Sequence, residues 1–408
     1  MNTPLDQRTE HQAVLLLDLL RAAEHSGVPT FLLQLADELV VGLGIKTQNT
    51  VSIRELAELQ RSADTATKDT EGRSVRFVTV PFDPLELTTV VEPVILLRAP
   101  ELYGPIQYGQ VSIPAKDRAA VDLWTTLSTC ASQLESEPTD LGPLLGEAVQ
   151  DDNLRKAWSE LFHGAKELLN ENFLQKIVLS QEISAPITPD FTSVRALQRL
   201  QRSHPNAHLY FFANQLGASP ELIVSKRGRS IRSTPLAGTR RKDELEELMH
   251  SSKDRAEHGF VVEHIIEKLL ELNCSVDLMD PDLIDLGDLV HIRSRIDATA
   301  PDMSHTIFDF IAAIAPTPAI AGTPTRRAIE AIRGLEGSVR GTYGGLVGVV
   351  EPNGDGEFYL AIRGLERRDS HVFLRSGVGI VADSNEDAEF EEIQAKLATT
   401  YRPLRTSR

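Results

Sequence analysis

The sequence predicts an α+β fold, and three observations carry that prediction. Strand-like runs come in clusters joined by hairpin turns, helical stretches stand apart from them, and no regular βαβ alternation runs along the chain. The 408 residues, 41% hydrophobic and 25% charged, supply ample material for a core and exclude disorder or fibre as overall descriptions. At roughly 150 residues per domain, this length allows two or three units or one large domain.

Residues 11–24, HQAVLLLDLLRAAE, space their apolar side chains helically and read as an amphipathic helix packed on the rest of the protein. From 30 to 115, short β-rich runs such as Val75–Val80 and Thr88–Leu97 alternate with Pro and Gly, so several antiparallel strands are expected. Residues 116–172 read as helical, with polar breaks around Glu137–Gly142, and a division between two halves is placed near 150. Phe173–Ile183 and His208–Asn214 read as strands, and Glu221–Pro235 as a hairpin turning at Lys226–Gly228. Asp254–Leu272 is a long amphipathic helix. Glu357–Glu366 and His371–Ser376 form a further hairpin turning at Arg367–Ser370, and SGVGIVADS leads into a helix from about Asn385 to Thr400. Ser384 with Asp387, or Asp383 with Glu386, has the form of a capping box at its start.

Charge narrows the function classes. Against 42 Lys and Arg stand 59 Asp and Glu, a net charge of −17, which disfavours broad binding to nucleic acid or an anionic membrane; an anionic small molecule needs a local, built site. Two cysteines, Cys130 and Cys274, without a CxxC or a Cys/His cluster, argue against a disulfide scaffold or structural zinc and fit a reducing cytoplasm. The acidic start MNTPLDQRTEHQ does not read as a signal peptide, and no apolar run reaches bilayer-spanning length.

Several side chains offer chemistry. Asp254 with Glu257, and Glu389 with Glu392, are acidic pairs at i,i+3 on expected helices, and Lys396 falls within roughly a 60° arc of the second pair. Such pairs either decorate a solvated face or, as hard oxygen donors, hold an ion such as Mg²⁺. Lys176, inside the apolar run of a strand, either guards an edge or is desolvated and available as a base. Glu221, opening a strand after a turn, is either a solvated strand-end carboxylate or a buried acid. Arg363 is expected mid-strand in LAIRGLE, as a salt-bridge partner or a carboxylate clamp. Tyr343 in GTYGG and the glycines of SGVGIV permit close approach to a ligand, and His258 beside Glu257 is a packed histidine or a neighbour of the site.

The order of segments adds a resemblance. KIVLS, ASPELIV, STPLAGTRR, KDRAEH, PTPAIAG, RGTYGG, LAIRG and SGVGIVADS followed by E-x-x-E-x-x-x-K together resemble the chorismate-utilising enzyme family over about residues 150–400. The resemblance implies one large sandwich of antiparallel sheets with flanking helices, residues 1–150 forming a variable half packed on a catalytic region at 151–405. It implies Mg²⁺ held by Asp254, Glu257, Glu389 and Glu392, with Glu257 and Glu392 as direct ligands. Gly238 and Thr239 would receive the ring carboxylate of chorismate, and Tyr343, Arg363, Gly379 and Lys396 the enolpyruvyl carboxylate. Lys176 matches the general base of water-using members, Glu221 the acid, and Ala237 stands where some relatives carry a nucleophilic lysine.

These matches imply an isomerase that converts chorismate to isochorismate, a monomer that serves menaquinone, siderophore or salicylate synthesis. The sequence departs from the family at Ala315, where a histidine usually precedes PTPA, at Gln181 and at Val378. The missing histidine turns the expectation away from the alternative of a salicylate synthase, which continues to pyruvate loss. A catalytically inactive chorismate-binding relative is the remaining alternative.

Overall fold

Apolar residues on short extended runs need a second layer to cover them, and in the computed structural model two large antiparallel sheets provide it for each other. The structure describes residues 14–66, 75–106, 110–113, 117–135, 142–148, 153–242, 248, 250–286 and 289–405. A ten-stranded sheet runs Gly322–Thr323, Lys176–Pro186, His371–Ile380, Gly364–Arg368, Gln215–Ser219, His208–Phe212, Thr30–Gln34, Leu39–Leu43, Ile95–Ala99, Val111–Ser112. A nine-stranded sheet runs Ser275–Leu278, Ile296–Thr299, Ser230–Thr234, Leu222–Arg227, Gly356–Leu360, Leu346–Val350, Arg76–Val80, Thr88–Glu92, Thr47–Val51. Leu236–Arg241, Leu289–Arg293 and Asp282–Asp285 make a small third sheet. The paired strands are antiparallel, so the α+β expectation holds.

Strands from the first hundred residues enter both large sheets. Thr30–Gln34 pairs with His208–Phe212, and Arg76–Val80 pairs with Leu346–Val350. Leu346–Val350 and Gly356–Leu360 are buried at every position, as expected of central strands covered on both faces. The main core includes Trp158, Phe308, Phe310 and Phe358, all fully buried. A second cluster stacks Phe31, Phe77 and Phe212 with ring centroids 5.6, 6.2 and 5.7 Å apart.

Three helices position the site. Ser252–Glu271 starts at Ser251, whose Oγ accepts the Asp254 N–H at 3.2 Å, so Asp254 sits in the first turn where the helix dipole favours a carboxylate. Thr325–Glu336 packs on the long strand Lys176–Pro186. The C-terminal helix Glu386–Arg405 packs on His371–Ile380.

Several boundaries differ from the sequence reading, each for a local reason. The first helix spans Leu16–His25, with residues 11–13 outside the described residues. Thr88–Leu97 is two strands, Thr88–Glu92 and Ile95–Ala99, because Pro93 interrupts the ladder. The helical stretch resolves into Arg118–Gln133 and Asn153–Asn170, and residues 137–141 of the expected break lie outside the described residues. Gln215–Ser219 is an additional strand, returning antiparallel to His208–Phe212 through a turn in which Ala213 has φ 58°. The C-terminal helix is capped by Asn385, whose Oδ1 accepts the Asp387 and Ala388 N–H groups at 3.1 Å, in place of either expected capping box.

The most consequential difference concerns Arg363. The expected strand Glu357–Glu366 is cut in two: Gly356–Leu360 belongs to the nine-stranded sheet and Gly364–Arg368 to the ten-stranded sheet. Arg363 therefore lies at the crossing between sheets, not mid-strand, with φ 53°. Gly364 makes the crossing feasible, since a Cβ there would stand 2.1 Å from the Tyr210 hydroxyl and 2.5 Å from the Leu216 carbonyl oxygen. A non-glycine residue in the left-handed region costs roughly 1–2 kcal/mol, a strain that tends to persist at functional positions.

Candidate active site

The long strand Lys176–Pro186 is bordered on one side only by the two-residue strand Gly322–Thr323, yet Lys176 is fully buried. Its Nζ donates to Glu257 Oε1 at 2.8 Å. Room for that amine comes from Gly379, on the paired strand opposite Val178: a Cβ there would meet Lys176 Cε at 2.6 Å and Glu257 Oε1 at 3.0 Å. Of the two readings of this lysine, the desolvated one describes its surroundings.

Glu221 is 2% exposed, and its Oε1 has no hydrogen-bond partner. Burial pushes its carboxyl up to about 8, against the opposing pull of the Leu236 N–H and the Lys176 charge. A carboxyl so placed keeps its proton at neutral pH and donates it.

Glu221, Gly238, Thr239, Glu257, Tyr343, Arg363 and Lys396 all line one cleft, which encloses about 780 Å³ of space including its open mouth. Gly238 is a bulge residue with φ 72° in the ladder between Leu236–Arg241 and Leu289–Arg293, and it sets Thr239 opposite His291. A Cβ on Gly238 would approach the Asp254 carbonyl oxygen at 3.0 Å. Thr239 Oγ1 lies 2.9 Å from His291 Nδ1, and an Nη of Arg363 lies 3.2 Å from His291 Nε2. A second Nη of Arg363 donates to Thr399 Oγ1 at 2.7 Å. Burial lowers Arg363 to about 10, which still leaves it cationic, and pushes Tyr343 up to about 12, so its phenol stays protonated. Lys396 Nζ donates to the Gly377 carbonyl at 3.2 Å and pairs with Glu392 at 2.7 Å. A cleft with Arg363, Arg375 and Lys396 in its wall is the local cationic site that an acidic protein needs for a small polyanion.

The four carboxylates expected to hold a metal are less gathered. Among the described residues no group of three or more His, Cys, Asp or Glu side chains is clustered as a metal centre. Asp254 Oδ2 instead accepts from Arg240 Nε at 3.0 Å, Glu257 from Lys176 and Glu392 from Lys396, while Glu389 is 3% exposed in the first turn of its helix. Only Glu257 of the four lines the cleft. By donor chemistry the set fits a hard divalent cation, being all carboxylate oxygen, and the basic partners occupy lone pairs that such a cation takes.

Other residues escaped the sequence reading. Glu336 and Arg340, an i,i+4 pair each 2% exposed at the side chain, brace the strand behind the cleft. Glu336 Oε1 accepts the Ser180 N–H at 2.7 Å, and Arg340 donates to the Val178 and Ile320 carbonyls at 2.7 and 2.9 Å. Arg375 lines the cleft and stands 3.5 Å from the same Glu336. The i,i+4 charge spacing was the available signal. His258 is a packed histidine, its Nε2 2.7 Å from Ser294 Oγ. Gln181 ties the strand to the Asn153–Asn170 helix by donating to the Leu154 carbonyl at 2.8 Å, and Val378 is core. Ala315 lines a neighbouring groove with Gln175, Phe260, His264 and Thr323.

An antiparallel sandwich thus encloses a buried acid, a buried amine and a wall carrying three cationic side chains. The chain belongs to the chorismate binding enzyme family, whose match covers residues 112–405. It is similar to isochorismate synthase DhbC of Bacillus subtilis, 36% identical over 253 residues, which are 57% of this chain and 63% of that protein. The vibriobactin-specific isochorismate synthase of Vibrio cholerae is 31% identical over 319 residues, 73% of this chain and 79% of that protein. Thus the chain aligns with less than two thirds of the length of the Bacillus relative and with more of the Vibrio one. In fold it resembles MenF, the menaquinone-specific isochorismate synthase from Escherichia coli, with TM-score 0.77 and 23% identity over 99% of this chain and 94% of that one. No helix among the described residues is long and apolar enough to cross a membrane.

Proposed function

We propose that this protein is an isochorismate synthase that adds water at C2 of chorismate and expels the C4 hydroxyl, acting as a Mg²⁺-dependent monomer in the cytoplasm. The single observation that carries the reading is the buried Glu221 carboxyl, its Oε1 without a hydrogen-bond partner, in the cleft that Glu257, the partner of Lys176, also lines. Family membership and the two synthases at 36% and 31% identity support the choice of substrate.

Lys176, acting as the neutral amine after its own proton has gone to solvent, takes a proton from water as the water oxygen bonds to C2. The ring double bonds shift, the C4–O bond breaks, and Glu221 gives its proton to the departing oxygen, which leaves as water. One water enters and one departs, so the product is an isomer; Lys176 gains the proton that Glu221 loses, and exchange with solvent resets both. Gly238 and Thr239 receive the ring carboxylate, while Tyr343, Arg363, Gly379 and Lys396 surround the enolpyruvyl carboxylate. Mg²⁺ held by Glu257 and Glu392, with Asp254 and Glu389 behind them, would neutralise the ring carboxylate and stabilise charge delocalised from the ring.

Chorismate consumption followed beside a lactate-dehydrogenase-coupled pyruvate assay tests the reading. Expected is chorismate loss that requires Mg²⁺, stops on chelation and yields no pyruvate. Stoichiometric pyruvate would make the protein a salicylate-type synthase and overturn the proposal.

A further inference from the structure

The mechanism leaves one buried ring in the cleft without a task. His291 is 7% exposed and lines the cleft between Thr239 and Arg363, the residues assigned to the two substrate carboxylates. A guanidinium has donors only, so His291 Nε2, 3.2 Å from an Arg363 Nη, must be the acceptor there. Burial, with the charges of Arg363 and Lys396, holds the ring well below its ordinary value, so it is neutral at pH 7. A neutral ring accepting at Nε2 carries its proton on Nδ1, and Nδ1 lies 2.9 Å from Thr239 Oγ1. That N–H donates to the hydroxyl oxygen, so the hydroxyl hydrogen must point elsewhere. Thr239 borders the cleft, and the cleft is where an acceptor would come from.

We propose that His291 is a positioning residue, locked by Arg363 into the Nδ1–H tautomer, which makes Thr239 an obligatory hydrogen-bond donor toward a carboxylate in the cleft. A threonine left to itself presents lone pairs as readily as its hydrogen, and lone pairs repel a carboxylate; the relay removes that choice before substrate arrives. It also joins the two carboxylate positions, since the group that grips one sets the polarity of the group that grips the other. The role toward chorismate rests on the function proposed above, whereas the tautomer does not.

Two measurements test it. Nitrogen NMR of the whole protein labelled at histidine, with His291 assigned by its loss in His291→Gln, should show a proton on Nδ1 and a bare Nε2. A proton on Nε2 overturns the proposal whatever the activity. His291→Leu and Thr239→Val should each raise KM for chorismate by about 10- to 150-fold, the worth of one hydrogen bond to a charged group, with a smaller change in kcat. The double variant should be no worse than either single one, whereas additive losses would mean that His291 does not act through Thr239. His291→Gln keeps an acceptor for Arg363 and a donor for Thr239 and should bring KM back to within a few-fold of the parent, with melting behaviour as a check on the fold. A folded Gln variant as impaired as the Leu variant would also overturn it. If the parent protein does not turn over chorismate at all, the functional reading fails and the NMR result alone decides the relay.

Discussion

Replacing Glu221 by glutamine should change how stability depends on pH. The carboxyl binds its proton more tightly in the folded chain, at about 8, than in the unfolded chain, near 4.5. The stability this provides is fully present below pH 4.5 and is lost as pH rises through about 8. At 1.36 kcal/mol per pH unit, the interval corresponds to at most about 5 kcal/mol, comparable to the whole stability of a small domain. Between about pH 5.5 and pH 9 at most about 3 kcal/mol of this is released, and water entering the site lowers the figure, so a measured change of about 2–3 kcal/mol is expected. Urea unfolding of parent and Glu221→Gln, followed from about pH 5.5 to about pH 9, isolates this group because all other titrations are common to both. The parent should lose midpoint relative to the variant as pH rises. Parallel pH profiles would show that Glu221 is ionised in the folded state, and the acid role would fall with that result.

Two further outcomes follow from the same geometry. The profile of kcat/KM should bend downward above about pH 8 as Glu221 loses its proton, and an alkaline limb that survives Glu221→Gln in the residual activity would assign that limb to another group. Gly379→Ala puts a methyl 2.6 Å from Lys176 Cε, so the amine must move; kcat should fall at least tenfold at a stability cost of about 1–3 kcal/mol, and unchanged kcat would separate Lys176 from the chemistry.

Much of the second half was legible because motif and element coincide there. The i,i+3 acids landed on the Ser252–Glu271 and Glu386–Arg405 helices, and Lys176 sits in a run whose buried strand is apolar by composition. Arg363 was misplaced because LAIRGLE alternates like one strand, and only the close approach of Tyr210 to Gly364 shows that the chain changes sheets there. Residues such as His291 and the Glu336–Arg340–Arg375 group become meaningful through partners far along the chain, as when Arg363 meets His291 across 72 positions. No local pattern encodes such a meeting. The cations on Asp254 and Glu257 were likewise invisible, since they come from other elements, whereas Lys396 on Glu392 follows from their i,i+4 spacing on one helix face.

The central claim is that solvent water, activated by Lys176, becomes the new hydroxyl at C2 while the old one departs protonated by Glu221. Turnover of chorismate in water enriched in heavy oxygen tests this in one step. Mass spectrometry of the isolated product should find one labelled oxygen, located in the C2 hydroxyl, in every isochorismate formed. An unlabelled product would mean that the original hydroxyl migrates without leaving, and the assignment of a base and an acid in this cleft would be wrong.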